Sequence, residues 1–91
     1  MFYAISYDIS DDRRRLKVAK ALKDFGQRVQ LSVFEAHLEP SELGRLQKRL
    51  TLLLDLAQDS VRFYPLCAAC VPGIQVRGQG LVTQDPDFII I

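Results

Sequence analysis

The sequence has no tryptophan, one methionine, one histidine and two cysteines among its 91 residues. His37 stands alone, so any histidine-based cleavage of RNA would rest on it entirely. It follows Glu35-Ala36 at the end of a strand-like stretch and reads as a surface residue. A structural zinc site takes four nitrogen or sulfur ligands, and Cys67, Cys70 and His37 fall one short. No serine or cysteine sits in a nucleophile elbow, which excludes triad-type acyl transfer. Phosphate-binding glycine loops are missing as well, since Gly78-Gln79-Gly80 is only a turn. The paired aromatic strand signature of base-stacking RNA-recognition modules is also absent. Apolar runs such as Leu52-Leu53-Leu54 and Phe88-Ile89-Ile90-Ile91 fall far below the ~20 residues of a membrane helix. The stretch from Met1 to Asp8 lacks the basic region and cleavage site of a signal peptide. The expectation is a cytoplasmic chain with no membrane association.

What is present is a globular balance: 48% hydrophobic and 25% charged residues. The length makes room for one domain over 1–91, and a domain this small is a candidate for self-association. Net charge is only +1, but it is unevenly spread. Arg13, Arg14, Arg15, Lys17, Lys20, Lys23 and Arg28 face the lone acid Asp24 within residues 13–28, so that stretch carries +6 and the rest −5. Such a segment is either a polyanion-facing surface or a solvated helix face. Cys67-Ala-Ala-Cys70, closed by Pro72-Gly73, reads as two small buried hydrophobes, with a local disulfide as the alternative.

Residues 2–8 alternate as a strand, with Tyr3, Ile5 and Tyr7 on one face and Ala4, Ser6 and Asp8 on the other. Ser10-Asp11-Asp12 supplies an N-cap and two acids for a helix running to about Phe25, with Leu16, Ala19, Leu22 and Phe25 at helical spacing and Gly26 as its stop. Alternation resumes with Val29, Leu31 and Val33 against Gln30, Ser32 and Phe34, and β character extends to Leu38. Pro40-Ser41-Glu42 opens a second helix whose stripe is Leu43, Leu46, Leu50, Leu53, Leu54 and Ala57. Asp59 to Leu66 is a further strand with Val61 and Phe63 inward. Residues 67–91 form a C-terminal extension with a short Ile74–Arg77 segment and the terminal apolar strand, whose burial calls for its own sheet or another subunit. The order predicts an α+β, ferredoxin-like βαββαβ sandwich: an antiparallel sheet with two helices on one face and an extra C-terminal strand. Residues 28–38 contain no Gly, Pro, Asn or Asp to turn on, so the chain there either bends near Ser32 or stays one long strand.

On this reading the open face of the sheet carries Ala4, Ser6, Asp8, Gln30, Ser32, Phe34, Arg62 and Tyr64. A subunit interface, a nucleic-acid platform and a metal-dependent catalytic surface all fit it. Asp8 discriminates among them, because a carboxylate at a strand end is a suitable hard ligand for magnesium together with water and substrate phosphate. One carboxylate per chain is few, so the metal reading also predicts a homodimer in which two Asp8 side chains meet. The competing reading is an acid that caps the turn or pairs with Arg13 or Arg28.

The run Tyr7-Asp8-Ile9-Ser10-Asp11-Asp12, the helix with Arg15 and Lys17 ending at Gly26, and Arg28-Val29-Gln30-x-Ser32-Val33-Phe34-Glu35 together resemble the CRISPR-associated protein 2 family. Asp59-x-Val-Arg-Phe-Tyr-x-Leu extends the resemblance, which spans residues 2–66. It implies the ferredoxin-like fold, a homodimer, a CRISPR integrase as partner in spacer acquisition, and a magnesium-dependent endonuclease acting on RNA or double-stranded DNA. Asp8 falls at the metal-binding aspartate. Arg15, Arg28, Ser32 and Phe34 fall at positions that the family links to activity or to positioning substrate and metal. Lys17 stands where other members carry Arg, and Arg13 and Arg14 complete the expected nucleic-acid contacts on the basic helix. A non-catalytic DNA-binding scaffold, and a toxin-type ribonuclease resembling the virulence-associated protein D fold, are the alternatives.

Overall fold

The structure, a computed structural model, describes residues 1–85. Strand β1 spans Phe2–Asp8, helix α1 Asp12–Lys23, strands β2 Gln27–Gln30 and β3 Val33–His37, helix α2 Pro40–Leu53 and strand β4 Ser60–Leu66. The sheet order is β2-β3-β1-β4, every pair antiparallel, with both helices packed on one face. This is the expected ferredoxin-like α+β sandwich. The terminal strand expected at Phe88–Ile91 lies outside the described residues. The short Ile74–Arg77 segment makes no strand pairing among the described residues, and a short 3-10 turn at Val71–Gly73 precedes it.

Helix α1 begins one residue later than the sequence implies. Asp11, rather than Ser10, is the N-cap, its carboxylate accepting from the Arg14 amide at 2.9 Å. That bond holds the Asp11 carboxyl below the usual carboxylate range. Val18, Ala19, Ala21 and Leu22 form the buried stripe, whereas Leu16 is 69% exposed. Ala19, Leu22 and Phe25 of the 16/19/22/25 pattern do face the core, and Leu16 alone departs from it because Val18 and Ala21 close the stripe. On α2, Leu46 and Leu50 are buried, and Leu43, Leu53 and Leu54 pack at the core's margin; Ala57 lies beyond the helix and is exposed. The helices are tied by an Arg49–Asp24 ion pair at 2.7 Å.

The stretch that lacks turn residues is a hairpin after all, reversing at Leu31-Ser32. Among the described residues no non-glycine residue has a positive φ, so the turn is not one of the primed types that favour glycine or asparagine. Contacts from β1 hold it instead. The Tyr7 amide donates to the Ser32 carbonyl at 3.1 Å, and the Tyr7 hydroxyl donates to the Leu31 carbonyl at 3.1 Å. A register shift between Arg28 and Gln30 accompanies it.

This hairpin overturns the expected facing. Phe34 and Ala36, 0% and 1% exposed, point into the core, while Leu31 is 86% exposed. A continuous strand would carry the alternation of 29, 31 and 33 onward, but a reversal plus a bulge changes its phase and exchanges the faces. Gly26, where the chain passes from α1 into β2, lets that junction lie close against β3: a Cβ there would come within 2.3 Å of the Glu35 carbonyl oxygen.

Candidate functional site

Cross-strand register fixes which side chains share the open face. Ala4 lies opposite Glu35 and Tyr64, Ser6 opposite Val33 and Arg62, and Asp8 opposite Ser60. Asp8 is exposed at the carboxyl end of β1. Arg62, one diagonal step away, donates to the Tyr64 hydroxyl at 3.4 Å. The Tyr64 hydroxyl, and more weakly the Asp8 carboxylate, hold its guanidinium above the ordinary arginine range.

The other acids around this end are engaged. Asp11 caps α1 and Asp12 pairs with Arg15. Asp59, buried at the start of β4, accepts from Arg14 Nε at 2.7 Å and Nη2 at 3.0 Å and from the Asp55 amide at 2.9 Å. Asp8 thus keeps its carboxylate clear: among the described residues, no donor hydrogen-bonds to it. No group of three or more His, Cys, Asp or Glu side chains forms a metal-holding set among the described residues. Asp8 is a hard oxygen donor that fits a hydrated magnesium ion, with one protein ligand supplied per chain.

Positive groups surround this strand end at different distances from its chemistry. Arg15 donates through Nη1 to the Ile9 carbonyl at 3.1 Å and the Ser10 carbonyl at 3.4 Å, pinning the loop that follows Asp8. Arg28 donates to the Tyr7 hydroxyl at 3.3 Å and lies 5.3 Å over the Phe34 ring. Phe34 is therefore no open-face residue. It is a buried support beneath Arg28, and Ser32 contributes its carbonyl to the Tyr7 amide. Arg13 and Lys17 project from the solvent side of α1 with Lys20, in the helical layer, while Asp8 faces the opposite side of the sheet.

Arg14, expected among the nucleic-acid contacts, has its guanidinium engaged in the fork with Asp59. A bidentate arginine–carboxylate pair outcompetes a solvated phosphate contact unless the pair first breaks. Asp59 is the residue that the sequence reading missed as a site element. The available signal was an acid just before a strand whose start lies beside the end of β1. The Arg14 side-chain bond, with the Asp55 amide adding to it, holds the Asp59 carboxyl below the usual range. A depressed carboxyl pKa stabilises the fold above the unfolded-state value of about 3.9 and loses that stabilisation as pH falls through the folded-state value. Asp59→Asn is expected to lower Tm at pH 7 by roughly 5–10 °C and to flatten the decline of Tm below about pH 4. Thermal melts of both proteins from pH 7 to pH 2 check this; parallel curves would contradict it.

The rest of the open face is partly covered. Glu35 Oε1 accepts from the Thr83 amide at 3.1 Å and from its hydroxyl at 3.0 Å. His37 Nε2 donates to the Thr83 carbonyl at 3.0 Å, and its ring meets Phe2 edge-on at 5.0 Å. His37 is thus a half-buried anchor for residues 82–85 rather than a surface residue. The cysteines are exposed, not buried.

Comparison with known proteins gives a consistent answer. Residues 1–72 match the family described as "CRISPR associated protein Cas2". A "CRISPR-associated endoribonuclease Cas2 3" of Synechocystis sp. is 45% identical over 89 residues, covering 98% of this chain and 97% of that protein. The crystal structure of Streptococcus pyogenes Cas2 superposes with a TM-score of 0.77 at 36% identity, covering 86% of this chain and all of that one. A chain of a structure described as "Partial Cas6-RT-Cas1--Cas2 complex" superposes with a TM-score of 0.73 at 26% identity, covering 82% of this chain and 88% of that chain.

Proposed function

The chain belongs to the CRISPR associated protein Cas2 family, and on that premise we propose that it is a magnesium-dependent endonuclease. It hydrolyses phosphodiester bonds of RNA or double-stranded DNA, works as a homodimer, and joins the CRISPR integrase in spacer acquisition. The Synechocystis relative bears an endoribonuclease name, and a similar fold sits in the complex named with Cas1. The observation that carries the catalytic part is the Asp8 carboxylate, exposed and, among the described residues, without a hydrogen-bond donor, on an arginine-bearing open face.

Asp8 and its counterpart from a second copy would hold the metal. A bound magnesium ion supplies Lewis-acid activation of water and neutralises phosphate charge. Arg62 stands on the Asp8 face to attract a phosphate. Arg15 keeps the loop after Asp8 from shifting, so the carboxylate is presented in one place. Phe34 and the Tyr7 hydroxyl hold Arg28 at the sheet edge, where its remaining donors face solvent, and Ser32 fixes the adjoining turn. The domain covers 1–91, with 67–91 reaching the partner subunit or the integrase, in the cytoplasm. The test is metal removal. Chelation is expected to bring cleavage of labelled RNA and duplex DNA to background, with recovery on adding magnesium or manganese; cleavage that persists in chelator would contradict the reading.

A second reading, a non-catalytic scaffold that grips duplex backbone, is favoured by one separate observation. Arg13, Lys17 and Lys20 form an exposed basic row on the helical layer, away from Asp8. Both roles can reside in one dimer, on different surfaces.

A further inference from the structure

We propose that Cys67 and Cys70 form a reversible dithiol–disulfide couple, a surface modification site whose oxidant is a low-molecular-weight disulfide of the glutathione type. The pair lies in the turn that leaves β4, three residues apart. The Cys70 amide donates to the Cys67 carbonyl at 2.9 Å, and the Val71 amide donates to the same oxygen at 3.2 Å. A turn closed in this way keeps the two Cα atoms within the separation a disulfide spans. The Sγ atoms already share a hydrogen bond at 3.2 Å, and both residues are open to solvent. From that 3.2 Å separation the sulfurs have about 1 Å to close to reach the ~2.05 Å of a disulfide.

The two sulfurs are also inequivalent. Hydrogen bonding from the Cys70 thiol, then from the amides of Cys70 and Ala69, pulls the Cys67 thiol below its ordinary value, and the same pairing pushes Cys70 up. That is the division of labour between an attacking and a resolving thiol. The Cys67 thiolate attacks one sulfur of the small disulfide, forming a mixed disulfide and expelling one small thiolate. Cys70 gives its proton to solvent and attacks Cys67 Sγ, expelling the second. The protein loses two electrons and two protons, and the oxidant is reduced to two thiols. A metal centre is the competing use of such a pair, but among the described residues no third ligand gathers beside it.

The experiment equilibrates the whole protein in glutathione buffers of graded redox potential, quenches with acid, alkylates and maps the peptide bearing both cysteines. The expected result is conversion from a doubly alkylated peptide to one lighter by two hydrogens and unalkylated, following a two-electron curve. Cys70→Ser is expected to trap glutathione on Cys67. Two alkylatable thiols throughout the series, disulfides only between chains, or no glutathione on Cys67 in Cys70→Ser would each overturn the proposal.

Discussion

Asp8→Asn is expected to lower magnesium-stimulated cleavage at least ~100-fold while leaving the fold intact. The substitution is nearly isosteric, and Asp8 is an exposed strand residue whose backbone ladder with β4 does not depend on the side chain. No internal donor loses its acceptor, so Tm should stay within about 1–2 °C of the parent. What disappears is the formal charge that a hard cation requires; an amide oxygen is a much weaker ligand for magnesium. Glu, which keeps the charge on a longer arm, should retain more activity than Asn. Rates measured on extensively purified protein, across a magnesium titration, check this. Equal cleavage by parent and variant would place the activity elsewhere.

The second large effect concerns binding rather than cleavage. Replacing Arg13, Lys17 and Lys20 together with Gln should weaken duplex affinity by about 10- to 100-fold near 0.1 M salt and make log Kd less steep against log salt. Each phosphate contact removed should flatten the slope by ~0.9. The three side chains sit at helical spacing on the exposed side of α1, and none has a partner acid within the chain among the described residues. Arg14→Gln should behave differently, because its guanidinium already serves Asp59. It should lower Tm, with little change in the salt slope of the folded protein. Fluorescence anisotropy with a short duplex at several salt concentrations separates the two. A triple variant with an unchanged slope would remove the basic row from the interface.

How far these sites could be read in advance depended on whether local pattern or tertiary contact decides each one. β1 and β4 were legible because their alternation is uninterrupted, and Val61 and Phe63 do face the helices while Arg62 and Tyr64 do not. α1 was legible in extent, though the exposed Leu16 shows that hydrophobicity at the right spacing does not ensure burial when Val18 and Ala21 fill the stripe. The β2–β3 hairpin was not legible as a turn. Leu31 and Ser32 carry no turn chemistry of their own; Tyr7, 24 residues away from Leu31 in sequence, supplies the hydrogen bond that holds them. That one reversal moved Phe34 from the open face into the core. The engagement of Arg14 by Asp59 was equally hidden, since 45 residues separate the partners and only the β1–β4 pairing brings them together. Asp8 was identifiable because its position requires only the strand that carries it.

The most direct test counts the manganese ions bound per chain by the protein in solution. Manganese prefers the oxygen ligands that magnesium does and can be followed by its electron paramagnetic resonance signal as it leaves the free pool. One tight ion for every two chains is expected, with that ion lost in Asp8→Asn. One ion on each chain, or one per pair that survives the substitution, would contradict a site shared between two Asp8 carboxylates.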